Sequence, residues 1–202
     1  MSPAFMLFHN CGRFHFMNEF ATKPMTVDEF LVWSARQDKG RYELQDGWVI
    51  MQQAQNWGHA SLKVRMYSIL KAAIERAGVP FYAAPDGMTV RIAKKIAYEP
   101  DALVAPLPMP DDKSLEISNP VIVVEVLSPS SIKRDLADKL AGYFKVASIQ
   151  HYLVLDPEEK EIIWHRRSKA GGLETPVSLK TGVLRLEPMG IEVRVEDVFA
   201  AN

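Results

Sequence analysis

The sequence predicts an α/β (α+β) fold, a mixed β-sheet flanked by helices with additional strands toward the C-terminus. Three observations carry this. Val121-Ile122-Val123-Val124-Glu125-Val126-Leu127 is apolar at every position but one, which is how a strand covered on both faces reads. Ile132, Leu136, Leu140, Tyr143, Phe144 and Ala147 then recur at helical spacing, so the next segment packs one stripe against a sheet. Over the whole chain the elements follow the order helix, hairpin, helix, strands, helix, strands, which a mixed sheet accommodates.

The first helix is marked by Thr26 and Glu29, which have the spacing of a capping box. It should span residues 27–36 with Phe30, Leu31 and Trp33 inward, and Lys39-Gly40 ends it. A hairpin follows, its strands at 41–45 and 48–51 flanking Asp46-Gly47, two residues that tolerate positive φ. That turn puts Glu43 on the same face as Trp48 and Ile50. A second helix over 58–77, capped by Asn56 and stopped by Gly78 and Pro80, aligns Leu62, Met66, Ile69, Leu70, Ala73 and Ile74. His59 opens it beside the apolar stripe, either satisfied by a neighbouring carboxylate or backbone group or touching a phosphate or metal.

Strands are expected at 81–84, 88–92 and 98–104. Pro100 has no N–H for a ladder, so the last of these is an edge, is bulged, or begins only near Asp101. Alternation puts Asp101 and Leu103 on one face. Residues 106–118, acidic and proline-rich, read as a surface excursion into the Glu125 strand. Ser128-Pro129-Ser130-Ser131 breaks that strand and offers hydroxyl caps to the third helix. Beyond it, 151–155 and 161–164 are strands around Asp156-Pro157, with short strands at 173–179, 183–186 and 191–195 and a terminal helical turn.

With 202 residues, 48% hydrophobic and 24% charged, the chain suits one globular domain burying roughly 70% of its unfolded surface. Residues 25–202 are expected to form it, and 1–24, which lack an unbroken apolar core after a basic start, read as a weakly ordered extension. A single cysteine, Cys11, excludes an intrachain disulfide framework and a cysteine-based zinc cage and fits a reducing cytoplasm. No run approaches the ~20 apolar residues that cross a bilayer, so no membrane role is expected. Formal net charge is -1, so any grip on nucleic acid must rest on a local patch. Lys94-Lys95, Lys133-Arg134 and His165-Arg166-Arg167 are the candidates, each also an ordinary solvated run.

Glu125 needs an explanation. An ionised carboxylate left unpaired in an apolar strand costs several kcal/mol, so a cation, a proton or an opening to water must compensate. A hard divalent ion takes oxygen ligands, commonly one or two carboxylates, a backbone carbonyl and waters, and Asp101 and Glu125 suit it. Lys139 is the amine within reach. With Asp135 one turn before it on the rim of the helical stripe, it also makes an ordinary solvated i,i+4 pair worth ~0.2 to 0.5 kcal/mol.

Pro100-Asp101 followed by Glu125-Val126-Leu127 resembles the PD-(D/E)xK nuclease superfamily. With Tyr42-Glu43-Leu44-Gln45-Asp46-Gly47, His59, the Glu125 to Ser131 run, Asp135 with Lys139, and Tyr152-Leu153-Val154-Leu155-Asp156-Pro157 added, the set resembles the Uma-two family of restriction-endonuclease-like proteins. The resemblance covers residues 25–164. It implies a restriction-endonuclease-like core and a Mg²⁺- or Mn²⁺-dependent nuclease acting on DNA, with Asp101, Glu125 and the Val126 carbonyl as metal ligands. It further implies Lys139 as catalytic amine, Glu43 as an acid reaching the metal through water, and Asp135 as a partner of Lys139. One position departs: Leu127 stands where the superfamily pattern has lysine, and Lys139 matches the lysine that the family places on the following helix. The competing expectation is a catalytically silent binding module that keeps the fold. A homodimer is a further expectation, with Trp48, Trp57 and Trp164 as interface candidates if exposed.

Overall fold

A computed structural model describes residues 23–128 and 133–200, the side chains of residues 133–135 excepted. α1 (Val27–Ser34) carries the expected capping box, with Glu29 Oε2 accepting the Thr26 N–H at 2.8 Å and Thr26 Oγ1 accepting the Glu29 N–H at 3.3 Å. It ends sooner than expected because Arg36 and Gln37 donate to carbonyls three residues back, which tightens the last turn out of α geometry. β1 (Tyr42–Gln45) and β2 (Trp48–Met51) pair antiparallel with Gln45 opposite Trp48, and the turn has φ 51° at Asp46 and 88° at Gly47. Only a primed two-residue turn matches that twist. α2 (Trp57–Ala77) starts where Asn56 Oδ1 accepts the His59 N–H at 2.9 Å and stops at Gly78 in the left-handed region, buying the C-cap at no Cβ cost.

β3 (Phe81–Pro85), β4 (Val90–Ala93), β5 (Ile96–Tyr98) and β6 (Ala102–Pro106) follow. The single strand read over 98–104 is thus two, and Glu99-Pro100-Asp101 is the crossover between them, where the missing proline N–H costs no ladder bond. Residues 106–118 are not only a surface excursion: Thr89 and Glu116 form a parallel bridge and Ile117 is buried. β7 (Ile122–Val126), α3 (Lys133–Tyr143), β8 (His151–Asp156), β9 (Glu161–Arg166), β10 (Val177–Leu179), β11 (Val183–Leu186), β12 (Ile191–Arg194) and α4 (Val195–Val198) complete the order. The caps expected from Ser130 and Ser131 lie outside the described residues.

Six strands form the central sheet in the order β10-β9-β8-β7-β6-β3. Only β7 and β8 run parallel, joined through α3, and the other pairs are antiparallel, so the sheet is mixed. Ile122, Val124 and Val126 face α2, and the β11-β12 hairpin with α4 completes that cluster. Val123, Leu103 and Tyr152 face the other way, against Tyr143 of α3 and Tyr98 of β5. A second sheet, β2-β1-β5-β4, packs α1 over Leu44 and Val49. Among the described residues, no helix is long and apolar enough to cross a membrane.

Candidate active site

β6 begins where β7 ends, because the two are antiparallel. The Asp101 N–H donates to the Val124 carbonyl at 2.9 Å, and Asp101 Oδ2 accepts the Val126 N–H at 2.7 Å. This pins a carboxylate beside Glu125, which shares its face with Val123 and so points toward α3. There Lys139 Nζ and the Tyr143 hydroxyl reach the same oxygen, Glu125 Oε1, at 2.9 and 2.6 Å. Lys139 Nζ is also 2.9 Å from Oε1 of Glu43 on β1, an oxygen that accepts the Glu99 N–H at 3.0 Å. Strand, helix and second sheet thus converge on one ammonium.

Glu43, Asp101, Glu125 and Lys139, the four side chains singled out in the sequence, are all buried within this network. Lys139 is not on a rim. It is 7% exposed, because β1 and β5 cover the side of α3 that the helical stripe leaves open. Asp135 lies on α3, but its side chain is outside the described residues. His59 is buried, and its Nε2 lies 2.9 Å from the Val126 carbonyl. A carbonyl only accepts, so Nε2 carries the proton, and the buried Nδ1 has no hydrogen-bond partner among the described residues.

Five participants were missed: Arg41, Lys63, Asp86, Glu99 and Tyr143. Arg41 pairs with Glu99, with Asp86, just beyond β3, at 3.1 Å and with Asp101 Oδ1 at 3.8 Å. Lys63 of α2 is 3% exposed and pairs with Asp101 Oδ1 and, at 3.1 Å, with Asp86 Oδ2. Its signal was its place one turn after His59 on the inward side of an apolar helix. Glu99 adjoins the Pro100-Asp101 dipeptide, and helical spacing marks Tyr143 only as part of an apolar stripe.

Burial pushes the Glu125 carboxyl up to about 7, with Asp101 and Glu43 adding to it and Lys139 and Tyr143 drawing it back. Burial also opposes the Lys139 charge, but Glu125 and Glu43 outweigh it and hold the ammonium well above the usual lysine range. The Tyr143 phenol is raised well above its ordinary value, chiefly by burial and then by Glu125, so it remains a donor. Burial raises Glu99 as well, against the pull of Arg41. Glu43, Asp86, Glu99, Asp101 and Glu125 face three cations, Arg41, Lys63 and Lys139, so the ionised network carries two negative charges in excess.

The Asp101 and Glu125 carboxylates and the Val126 carbonyl are hard oxygen donors of the kind a divalent cation takes, and acids outnumber cations around them. Among the described residues, no three His, Cys, Asp or Glu side chains gather as a ligand cage, so waters would fill the remaining positions.

A mixed sheet whose parallel pair is bridged by a helix, with acids and a lysine meeting at the strand ends, defines a restriction-endonuclease-like fold. The crystal structure of a putative nuclease belonging to DUF820 from Anabaena variabilis is similar to it, with a TM-score of 0.69 at 15% identity over 88% of this chain and 98% of that one. The chain belongs to the Uma2 family, described as putative restriction endonuclease, which it matches over residues 27–196. It is also 23% identical over 176 residues to slr1290, an uncharacterized protein of Synechocystis sp., covering 87% of this chain and 91% of that protein.

Proposed function

We propose that this chain is a divalent-metal-dependent nuclease that hydrolyses phosphodiester bonds in DNA, with residues 25–202 acting as one domain. Asp101, Glu125 and the Val126 carbonyl would hold Mg²⁺ or Mn²⁺. Bound there, the ion supplies a Lewis acid for a phosphoryl oxygen and acidifies a water. Lys139, kept protonated by Glu125 and Glu43, offers an ammonium to the charge that develops on the phosphoryl group. Tyr143 fixes the orientation of Glu125, and His59 fixes the Val126 carbonyl. Glu43 is the second acid on Lys139 and would contact the ion through water.

One observation carries this reading: a buried ammonium 2.9 Å from each of two buried acids, in a member of a family described as putative restriction endonuclease. Desolvating three charges is costly, and such clusters concentrate where chemistry uses them. A second reading, a catalytically silent binding module, is favoured by the engagement of Asp101 with Lys63 and Arg41. A cytoplasmic location fits a chain with one cysteine. For a homodimer, Trp57 at 79% exposure is the aromatic available to an interface, since Trp164 is buried and Trp48 half-buried.

The test is incubation of supercoiled, linear and single-stranded DNA and structured RNA with Mn²⁺. Cleavage by wild type that is lost in Lys139→Ala and Glu125→Ala supports the enzyme. Equal nicking by wild type and Lys139→Ala ends that reading, and binding without cleavage supports the silent module.

A further inference from the structure

Lys63 has no part in the nuclease reading above, yet it is among the most deeply buried charges in the protein. An ammonium taken out of water must find partners, and Lys63 has two of unequal exposure. Asp101 is buried, whereas the Asp86 side chain is 37% exposed. The two oxygens of Asp101 are also unequal. Oδ2 accepts the Val126 N–H at 2.7 Å and is fixed to the neighbouring strand, while Oδ1 faces Lys63, with Arg41 farther off at 3.8 Å. The oxygen free of the backbone is therefore the one that Lys63 holds. Glu125 is arranged differently, since Lys139 and Tyr143 both address its Oε1.

We propose that Lys63 is a positioning residue that occupies Asp101 Oδ1 in the metal-free protein, competes with a divalent cation for that oxygen, and is retained by Asp86 when the cation binds. The inference rests on Asp101 being a metal ligand. Asp86 makes the exchange feasible: its Oδ2 already lies 3.1 Å from Lys63 Nζ and 3.1 Å from Arg41, so release from Asp101 leaves the ammonium paired. Without Asp86, releasing Asp101 would strand a desolvated cation. The apparent affinity for the ion is then the intrinsic affinity reduced by the fraction of molecules in which Oδ1 is disengaged.

The experiment is Mn²⁺ binding to the purified full chain, without nucleic acid, followed by electron paramagnetic resonance and calorimetry. Wild type, Lys63→Met, Asp86→Asn and the double variant are compared. Lys63→Met is expected to bind Mn²⁺ about tenfold more tightly, because the competing cation is gone. Asp86→Asn is expected to bind it several-fold more weakly, and to have no effect once Lys63 is Met, since Asp86 acts through Lys63. Additive effects of the two substitutions would show a simple change of local charge and overturn the proposal. So would wild-type binding that Lys63→Met leaves equal or weaker, and in that case the metal reading of Asp101 survives. Absence of binding in both wild type and Lys63→Met ends the metal reading and this inference together, whereas binding by Lys63→Met alone supports both. If Lys63→Met does not fold, Asp86→Asn decides, because unchanged affinity there overturns the exchange.

Discussion

The Tyr143 hydroxyl donates to Glu125 Oε1 at 2.6 Å, and both groups are buried. A hydrogen bond to the ionised form favours ionisation, so Tyr143 lowers a carboxyl that burial has raised to about 7. Tyr143→Phe keeps the ring contacts with Tyr98 and Tyr152, at 5.3 and 5.1 Å between centroids, and removes only the donor. The Glu125 carboxyl should then titrate above about 7, with a stability loss of roughly 1.5–3 kcal/mol at pH 8. Carboxyl-carbon NMR titration and urea denaturation check the two outcomes, and an unmoved titration would mean that the hydroxyl does not control Glu125.

Lys139→Met gives a second, pH-resolved outcome. The Glu125 carboxyl goes from an ordinary 4.5 to about 7 on folding, so between those values the native state holds a proton that the unfolded chain has released. Stability from that group is fully present below 4.5 and is lost as pH rises through about 7. Lys139 has the opposite charge and a raised folded value, so its contribution persists through neutral pH and is lost only above the usual lysine range. Removing it leaves Glu125 and Glu43 without their shared cation and raises Glu125 further. The variant should lose about 3–5 kcal/mol at pH 8, the cost of leaving a buried charge unpaired, and less at pH 5, where Glu125 is protonated with or without Lys139 and its share of that loss is gone. Urea denaturation at the two pH values checks it, and an equal loss at both would remove the charge argument.

What the sequence made legible is what local pattern encodes. The Thr26–Glu29 box, the Asp46-Gly47 turn, the Asn56 and Gly78 caps and the apolar run around Glu125 each depend on neighbours within a few residues. Glu125 itself stood out because a carboxylate in a covered strand demands compensation. The partners were harder to read, since they come from elements distant in the chain. Lys63 meets Asp101 because α2 crosses the strand ends, and Arg41 meets Glu99 because β1 pairs with β5. Helical periodicity cannot tell Tyr143 the hydrogen-bond donor from Tyr143 the core residue, as it is both. Helical spacing sets Lys139 on the rim of a stripe that packs on one sheet, whereas a second sheet covers the other side.

Gly142→Ala tests how tightly α3 is seated. Alanine gains about 1 kcal/mol over glycine within a helix, so composition alone predicts stabilisation. A Cβ at Gly142, however, would lie 2.5 Å from Tyr98 Cε2 and 2.8 Å from its hydroxyl oxygen. Tyr98 packs edge-on against Tyr143 and lies under Lys139, whose Nζ is 5.8 Å from the ring centroid, so it cannot yield without disturbing both. Overpacking of about 1–3 kcal/mol should outweigh the helical gain, and thermal melting should show a lower midpoint. A stabilised variant would mean that the ring relaxes freely.

Proton-linked metal uptake is the most direct consequence of the Glu125 environment. A carboxyl titrating near 7 is largely protonated at pH 6.5, yet only the carboxylate can serve as a ligand. Mn²⁺ binding at that pH should therefore release between about half and one proton, and the apparent affinity should strengthen from pH 6 to pH 8 and then level off. Calorimetry at pH 6.5 in two buffers of different ionisation enthalpy measures the released proton directly. In Glu125→Gln the remaining affinity should be weaker and without this pH dependence, because the titrating ligand is gone. Identical heats in the two wild-type buffers would remove the proton linkage, and an affinity that Glu125→Gln leaves unchanged would remove the carboxylate at the end of β7 from the proposed metal site.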